Sequence, residues 1–245
     1  MMADFTRTIV AALLAGTLWL HRYAPRRGWT DEEALHLLWW SAAGAFIGGR
    51  VAYLLRNADY FRLYPSAILA FRQMPGLGGE GLWAGGLLAA LLWSRRHRRP
   101  PREALALLAP LALLVAAAGW WACEAAGCAW GAVAVRIPPW QRPFVIDAPD
   151  IYHTVMPRYA VQRLKAAGML VLAVIAHRPR RGVAALIAAL LWSAALASLQ
   201  GDPQPSPCGL RLDQWFDLLL AALLVPFLRQ NYAIMGTRYE EEKRC

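Results

Sequence analysis

Long apolar runs alternate along this chain with short polar connections. Seven runs stand out, near residues 5–22, 33–56, 79–94, 103–123, 160–177, 182–199 and 212–231. Each lies close to the ~20 residues that carry a helix across a ~30 Å hydrocarbon core. The third is the shortest. A hydrocarbon core offers the backbone no hydrogen-bond partners, and the Ala, Leu, Val and Trp of these runs do not alternate as barrel strands do. The pattern therefore predicts an all-α, polytopic membrane protein of about seven transmembrane helices, with 1–245 as a single transmembrane domain. The first run has the length of a signal-peptide core, but no small-x-small cleavage site precedes its basic flank. It is expected to stay as the first span.

Charge sets an orientation. Arg22, Arg26 and Arg27 follow the first run, Arg95, Arg96, Arg98, Arg99 and Arg102 the third, and Arg178, Arg180 and Arg181 the fifth. Basic connections stay on the cytoplasmic side. The N-terminus is then outside and the tail 232–245 cytoplasmic, in a multi-pass protein of the bacterial inner membrane. The same distribution accounts for the net charge of +10 without nucleic acid. The outer connections 57–78 and 132–159 are rich in Pro and aromatics, among them Tyr60, Tyr64, Trp140 and Tyr152. Such side chains suit headgroup depth, as interfacial pieces or a small cap. Composition adds one exclusion. With 58% apolar and 17% charged residues, the chain departs from the about 45–50% and roughly 25% of a soluble domain.

Ionisable side chains inside spans cost roughly 2.5–3.5 kcal/mol on insertion scales, so each is a candidate for function. Arg50 follows Gly48-Gly49 with Tyr53 nearly one turn on; snorkelling to the interface is its alternative. Glu124 closes the fourth run, with a structural ion pair as the alternative to catalysis. Arg158 and Gln162 open the fifth run with Arg163 and Lys165, where basic groups attract anionic lipid. Trp19, Trp29, Trp93, Trp192 and Trp215 fall near run ends and read as interfacial anchors. Cys123 and Cys128 sit among alanines, as small packing residues or as reactive thiols. Gly119, Gly127 and Gly131 permit a tight helix crossing or a broken helix. His153, on the outer side, is a weak candidate base. The glycines at 76–81 lack the Lys-Ser/Thr ending of a P-loop, and no Cys/His spacing suggests zinc, so neither nucleotide nor metal cofactor is expected.

In order and spacing these features resemble the bacterial prolipoprotein diacylglyceryl transferases. The resemblance runs from about residue 8 to 225. It is carried by Gly44-Ala45-Phe46-Ile47-Gly48-Gly49-Arg50-Val51-Ala52-Tyr53, by Tyr64-Pro65-Ser66-Ala67-Ile68-Leu69-Ala70, and by Gly85-Gly86-Leu87. The stretch from Gly119 to Gly131 resembles the family signature, and Arg158-Tyr159-Ala160-Val161-Gln162 its Arg/His-Tyr-Pro-x-Gln. Gly201-Asp202-Pro203 and Gly209-Leu210-Arg211-Leu212-Asp213-Gln214-Trp215 resemble the closing loop and last span. Several polar positions of the family are substituted. The signature arginine is Trp120, its asparagines are Cys123 and Ala126, and its glutamate is Cys128. A histidine is replaced by Ala84, and two further arginines fall at Ser193 and Gln200.

The resemblance implies transfer of a diacylglyceryl group from phosphatidylglycerol to a lipobox cysteine thiol, with membrane lipid and prolipoprotein signal peptides as partners. It implies Glu124 and Arg50 as catalytic candidates, and Arg158, Gln162, Tyr53, Gly85, Gly86, Gly119 and Gly131 as lipid-binding ones. The substitutions keep a second reading open, a non-catalytic homologue that binds anionic phospholipid or lipoprotein. A transporter would show broken helices in two related halves, and no such symmetry is visible.

Overall fold

The computed structural model describes residues 2–70, 76–149, 152 and 154–228. Each apolar run falls on one long helix: α1 (Met2–Tyr23), α2 (Asp31–Arg56), α4 (Gly79–Arg96), α5 (Pro101–Ala126), α6 (Val161–Ala176), α7 (Gly182–Ala197) and α8 (Leu212–Leu224). A short α3 (Ala58–Leu63) lies in the connection 57–78. The connection 132–159 holds two strands, β1 (Val145–Pro149) and β2 (Val155–Tyr159), paired antiparallel with Val145 opposite Tyr159. This hairpin is a departure from the all-helical expectation. His153 and the tail 232–245 lie outside the described residues.

The chain divides into two compact units, a larger one of Met1–Leu20 and Ala106–Cys245 and a smaller one of His21–Leu105. In the smaller unit α2 packs on α4 through glycines. A Cβ on Gly48 would meet the carbonyl oxygen of Gly81, and one on Gly85 that of Gly44. Gly44 and Gly48 thus face Gly81 and Gly85 as two small-xxx-small stripes, the arrangement that lets membrane helices approach closely. The third run, short as it is, forms a full helix held by this contact. At the start of α2, the Thr30 hydroxyl accepts from the Glu33 amide while the Glu33 carboxylate accepts from the Thr30 amide, both at 3.1 Å. This reciprocal cap satisfies two otherwise orphaned donors. Arg99 clamps the same carboxylate through Nε at 3.1 Å and Nη2 at 2.7 Å. Trp93 and Trp29 are 2% and 4% exposed, and they stack on each other. These two tryptophans are core residues rather than the interfacial anchors expected from their positions.

In the larger unit α5 is apolar all round, with Pro101 in its first turn, where a missing N–H is harmless. It is the one helix among the described residues long and apolar enough by itself to cross a membrane. Leu107, Ala109 and Leu113 are fully buried on it. Gly16 of α1 packs against Leu111, and Gly182 of α7 against Ala106. Gly168 of α6 makes room for the Trp192 indole, whose N–H donates to the Leu164 carbonyl at 3.1 Å. The end of α1 meets the end of α6, where Trp19 Nε1 donates to His177 Nδ1 at 3.2 Å. Outward faces stay apolar: Leu14 and Leu18 on α1, Ile47 and Leu55 on α2, Val171 and Val174 on α6, and Leu219 and Leu223 on α8 are all exposed.

Candidate functional site

Two buried polar clusters hold the predicted residues, one in each unit. In the smaller unit Arg50 is 5% exposed, so it is not a snorkelling arginine. Its guanidinium donates to backbone carbonyls: Nη2 to Ile68 at 2.6 Å and to Ala67 at 3.3 Å, Nε to Ile68 at 3.3 Å, and Nη1 to Gly76 at 3.2 Å. The Tyr53 and Phe61 rings lie 5.5 and 5.7 Å from it. The Tyr53 ring also fills the space that a Cβ on Gly76 would need. Arg50 and Tyr53 therefore bind the loop after α3 to α2. The fork of five N–H donors suits this task. Gly85 is spent on the α2–α4 crossing, and Gly86 beside it has room, with Ala45 Cβ 3.4 Å from a Cβ placed there. Both were candidates for lipid contact; the structure gives Gly85 a packing role.

In the larger unit α5 ends at Gly127, whose φ of +73° is a left-handed cap. The Cys128 amide turns back to donate to the Cys123 carbonyl at 3.0 Å. That turn brings the two cysteines together, and they form a disulfide with Cα atoms 5.1 Å apart. They are neither free thiols nor independent packing residues, which corrects both expectations for them. The chain then passes between two neighbours. The Ala132 amide donates to the Leu199 carbonyl at 2.8 Å, and the Tyr159 amide to the Ala132 carbonyl at 3.2 Å. Gly131 pairs with Gln200, and a Cβ on it would collide with Tyr159 backbone. So Gly131 is a close-approach glycine. Gly119 is not, since its nearest neighbour is Ile9 Cδ1, 3.9 Å from a Cβ placed there.

Arg158 and Gln162 anchor this strip from the side of β2 and α6. They are 5% and 7% exposed. Arg158 Nη1 donates to the Gly131 carbonyl at 3.3 Å, and Gln162 Nε2 to that of Cys128 at 3.0 Å. Glu124 lies on the rim, with its carboxylate 2.7 Å from Arg163 Nη2. The structural ion pair anticipated as its alternative is thus present. Deeper in, Lys165, Gln200, Gln214 and Asp217 are all buried. Arg211 holds Asp202 and Asp213, each at 3.2 Å, and Gln214 Nε2 donates to the Ala194 carbonyl at 2.9 Å. The candidate residues omitted Asp217, Gln214 and Gln200. Asp217 falls inside the seventh apolar run, and the cost of a carboxylate there was the signal for it.

The strip carries Gly131 and meets Arg158 and Gln162, which carried part of the sequence resemblance, and Gln200, one of the departures from it. The profile of the prolipoprotein diacylglyceryl transferase family matches residues 4–199. Among similar proteins, the phosphatidylglycerol–prolipoprotein diacylglyceryl transferase of Paraburkholderia phytofirmans is 29% identical over 157 residues, 62% of this chain and 52% of that one. The protein of the same name from Azoarcus sp. is 30% identical over 174 residues, 67% and 63% of the two chains. That from Acinetobacter baylyi is 31% identical over 103 residues, 42% and 37%. The chain spans about half the length of the first curated relatives it matches. With the family profile matched over most of its length, the chain belongs to the prolipoprotein diacylglyceryl transferase family.

Proposed function

We propose that this protein transfers a diacylglyceryl group from phosphatidylglycerol to the cysteine thiol of a prolipoprotein, within the bacterial inner membrane. The observation that carries the reading is the buried polar cluster around Gly131, Arg158 and Gln162, set in a helical chain of this family whose outward faces are apolar. In the transfer, the thiol sulfur forms a bond to the glyceryl carbon. The bond from that carbon to the phosphate oxygen breaks, glycerol phosphate leaves with the electron pair, and the thiol proton passes to a base. Buried donors suit the departing phosphate, because charge develops there in the transition state. Glu124 stands at the rim as proton acceptor, and its ion pair with Arg163 opens when it takes the proton. Arg50 positions the loop after α3 and does not touch the reacting atoms in this scheme. No step needs a metal or nucleotide.

The chain spans the membrane seven times with its N-terminus outside. Three observations support that topology. The seven apolar runs are seven helices. The ends that meet are ends assigned to the same side, as with Trp19 and His177, or Arg99 and Glu33. The disulfide lies at an end assigned to the periplasm, the compartment where disulfides persist.

A second reading is favoured by one observation. The positions 84, 120, 126, 193 and 200 carry no charge, and Glu124 is neutralised by Arg163. A non-catalytic homologue would bind anionic phospholipid and stop there. The test is a product assay with purified protein, phosphatidylglycerol vesicles and a lipobox peptide, read by mass spectrometry. A diacylglyceryl-peptide that disappears with Glu124→Ala is the expected result. Absence of product from folded, lipid-bound protein overturns transfer in favour of the second reading.

A further inference from the structure

Lys165 lies in the first turns of α6 and is 2% exposed. A buried ammonium has three N–H donors to fill and a charge to offset. Among the described residues a single acceptor is in reach, Gln200 Oε1 at the long distance of 3.4 Å. The ammonium also stands 4.3 Å from the centre of the Trp120 ring. A ring face attracts a cation but cannot take the place of an anionic acceptor.

The acids nearby make no direct contact with it. Among the described residues no carboxylate comes within ion-pair distance of Lys165. Asp202 and Asp213 are held by Arg211, each at 3.2 Å. They and Asp217 make no ion pair with Lys165, though their charges reach it. Arg158, the other buried cation on this side, directs Nη1 to the Gly131 carbonyl. The Gln162 amide donates through Nε2 to the Cys128 carbonyl. The fold thus sinks a cation into the larger unit with donors to spare and no counter-charge in contact. Truncating or replacing such a group normally stabilises a protein, unless something outside the chain answers it.

A tetrahedral phosphate oxygen is that kind of acceptor, and Lys is a common point-charge partner for phosphate. In a protein with apolar outer faces, the phosphate at hand is a lipid headgroup. We propose that Lys165 binds the phosphodiester of an anionic phospholipid, between the Trp120 ring and Gln200. The inference deepens the transfer reading on which it rests, because the phosphate gripped by Lys165 is the group that departs with glycerol. It also gives the two uncharged positions Trp120 and Gln200 a role, as the walls that hold the ammonium in place.

The experiment measures thermal unfolding and lipid binding of the full-length protein in nanodiscs of phosphatidylcholine alone and with added phosphatidylglycerol. Soluble glycerol phosphate is a separate arm. Phosphatidylglycerol is expected to protect the wild type where phosphatidylcholine does not. Lys165→Met should weaken that binding about tenfold or more, the worth of one charged hydrogen bond. It should melt no lower than the wild type in phosphatidylcholine, since it removes an unanswered charge. Lys165→Arg should keep most of the binding. Full binding by Lys165→Met, or its unfolding well below the wild type, overturns the proposal. Protection by soluble glycerol phosphate alone overturns the lipid source. Wild type that binds phosphatidylglycerol through Lys165 yet gives no diacylglyceryl-peptide refutes transfer and leaves this inference standing. Product formation indifferent to Lys165→Met does the reverse.

Discussion

Arg50 shows how a residue flagged for chemistry can be explained by its acceptors. Among the described residues its donors end on main-chain carbonyls of residues 67, 68 and 76, so substitution should act on stability before it acts on turnover. Arg50→Met leaves those carbonyls without their donor and is expected to cost roughly 2–4 kcal/mol, given about 1.5–3 kcal/mol for a hydrogen bond to a charged group. Arg50→Lys keeps the charge but loses the planar fork, and should cost less. Chemical unfolding in micelles checks both, and a Met variant of wild-type stability would refute the bracing role. The sequence singled out Arg50, Arg158 and Gln162 because polar groups in apolar runs are rare and costly. It could not say what they touch. Arg50 meets a loop 17 to 26 residues away, and Gln162 reaches back 34 residues to Cys128. Such partners are products of tertiary contact and leave no local trace.

Helices were more legible than the strips between them. A membrane span is one long apolar run, so the element can be read from its own residues. The hairpin β1–β2 contains Pro149, Pro157, Asp147 and Arg158, which obscure a strand pattern. The disulfide was hidden for a related reason: Gly127 reverses the chain by its positive φ, and the Cys spacing alone does not reveal that turn. Within the helices, glycines of similar appearance differ in consequence. Gly85→Ala places a methyl group on Gly44 backbone and should destabilise by about 2 kcal/mol or more, as overpacking does. Gly86→Ala meets only ordinary contact, and should stay within about 0.5 kcal/mol of the wild type. Thermal melts of the two variants side by side decide it. Equal effects would mean that the α2–α4 crossing is looser than the structure has it.

At the scale of the whole molecule, alternation of basic and dilute connections was the readable feature, and the proposed orientation rests on it. Cysteine labelling tests the resulting topology without a new site. Cys208 is a free, exposed thiol in the last connection, assigned to the outside. In a Cys245→Ser background, a membrane-impermeant maleimide applied to intact spheroplasts should label Cys208 alone. After mild reduction it should also label Cys123 and Cys128. Labelling that requires lysed membranes would invert the proposed orientation.

The meeting of Trp19 with His177 has a consequence in time. These residues are separated by 158 positions, and synthesis at about 5–20 residues per second puts roughly 8–30 s between them. The larger unit is assembled from the first and last parts of the chain, whereas the smaller unit is one unbroken stretch, His21–Leu105. The stretch made second can therefore be finished while α1 still waits for α6. Until α5 follows, the groove at Gly16, destined for Leu111, is open to whatever the bilayer or an insertase offers it. The smallest residue of α1 marks where a nascent chain of this protein is most in need of a temporary escort.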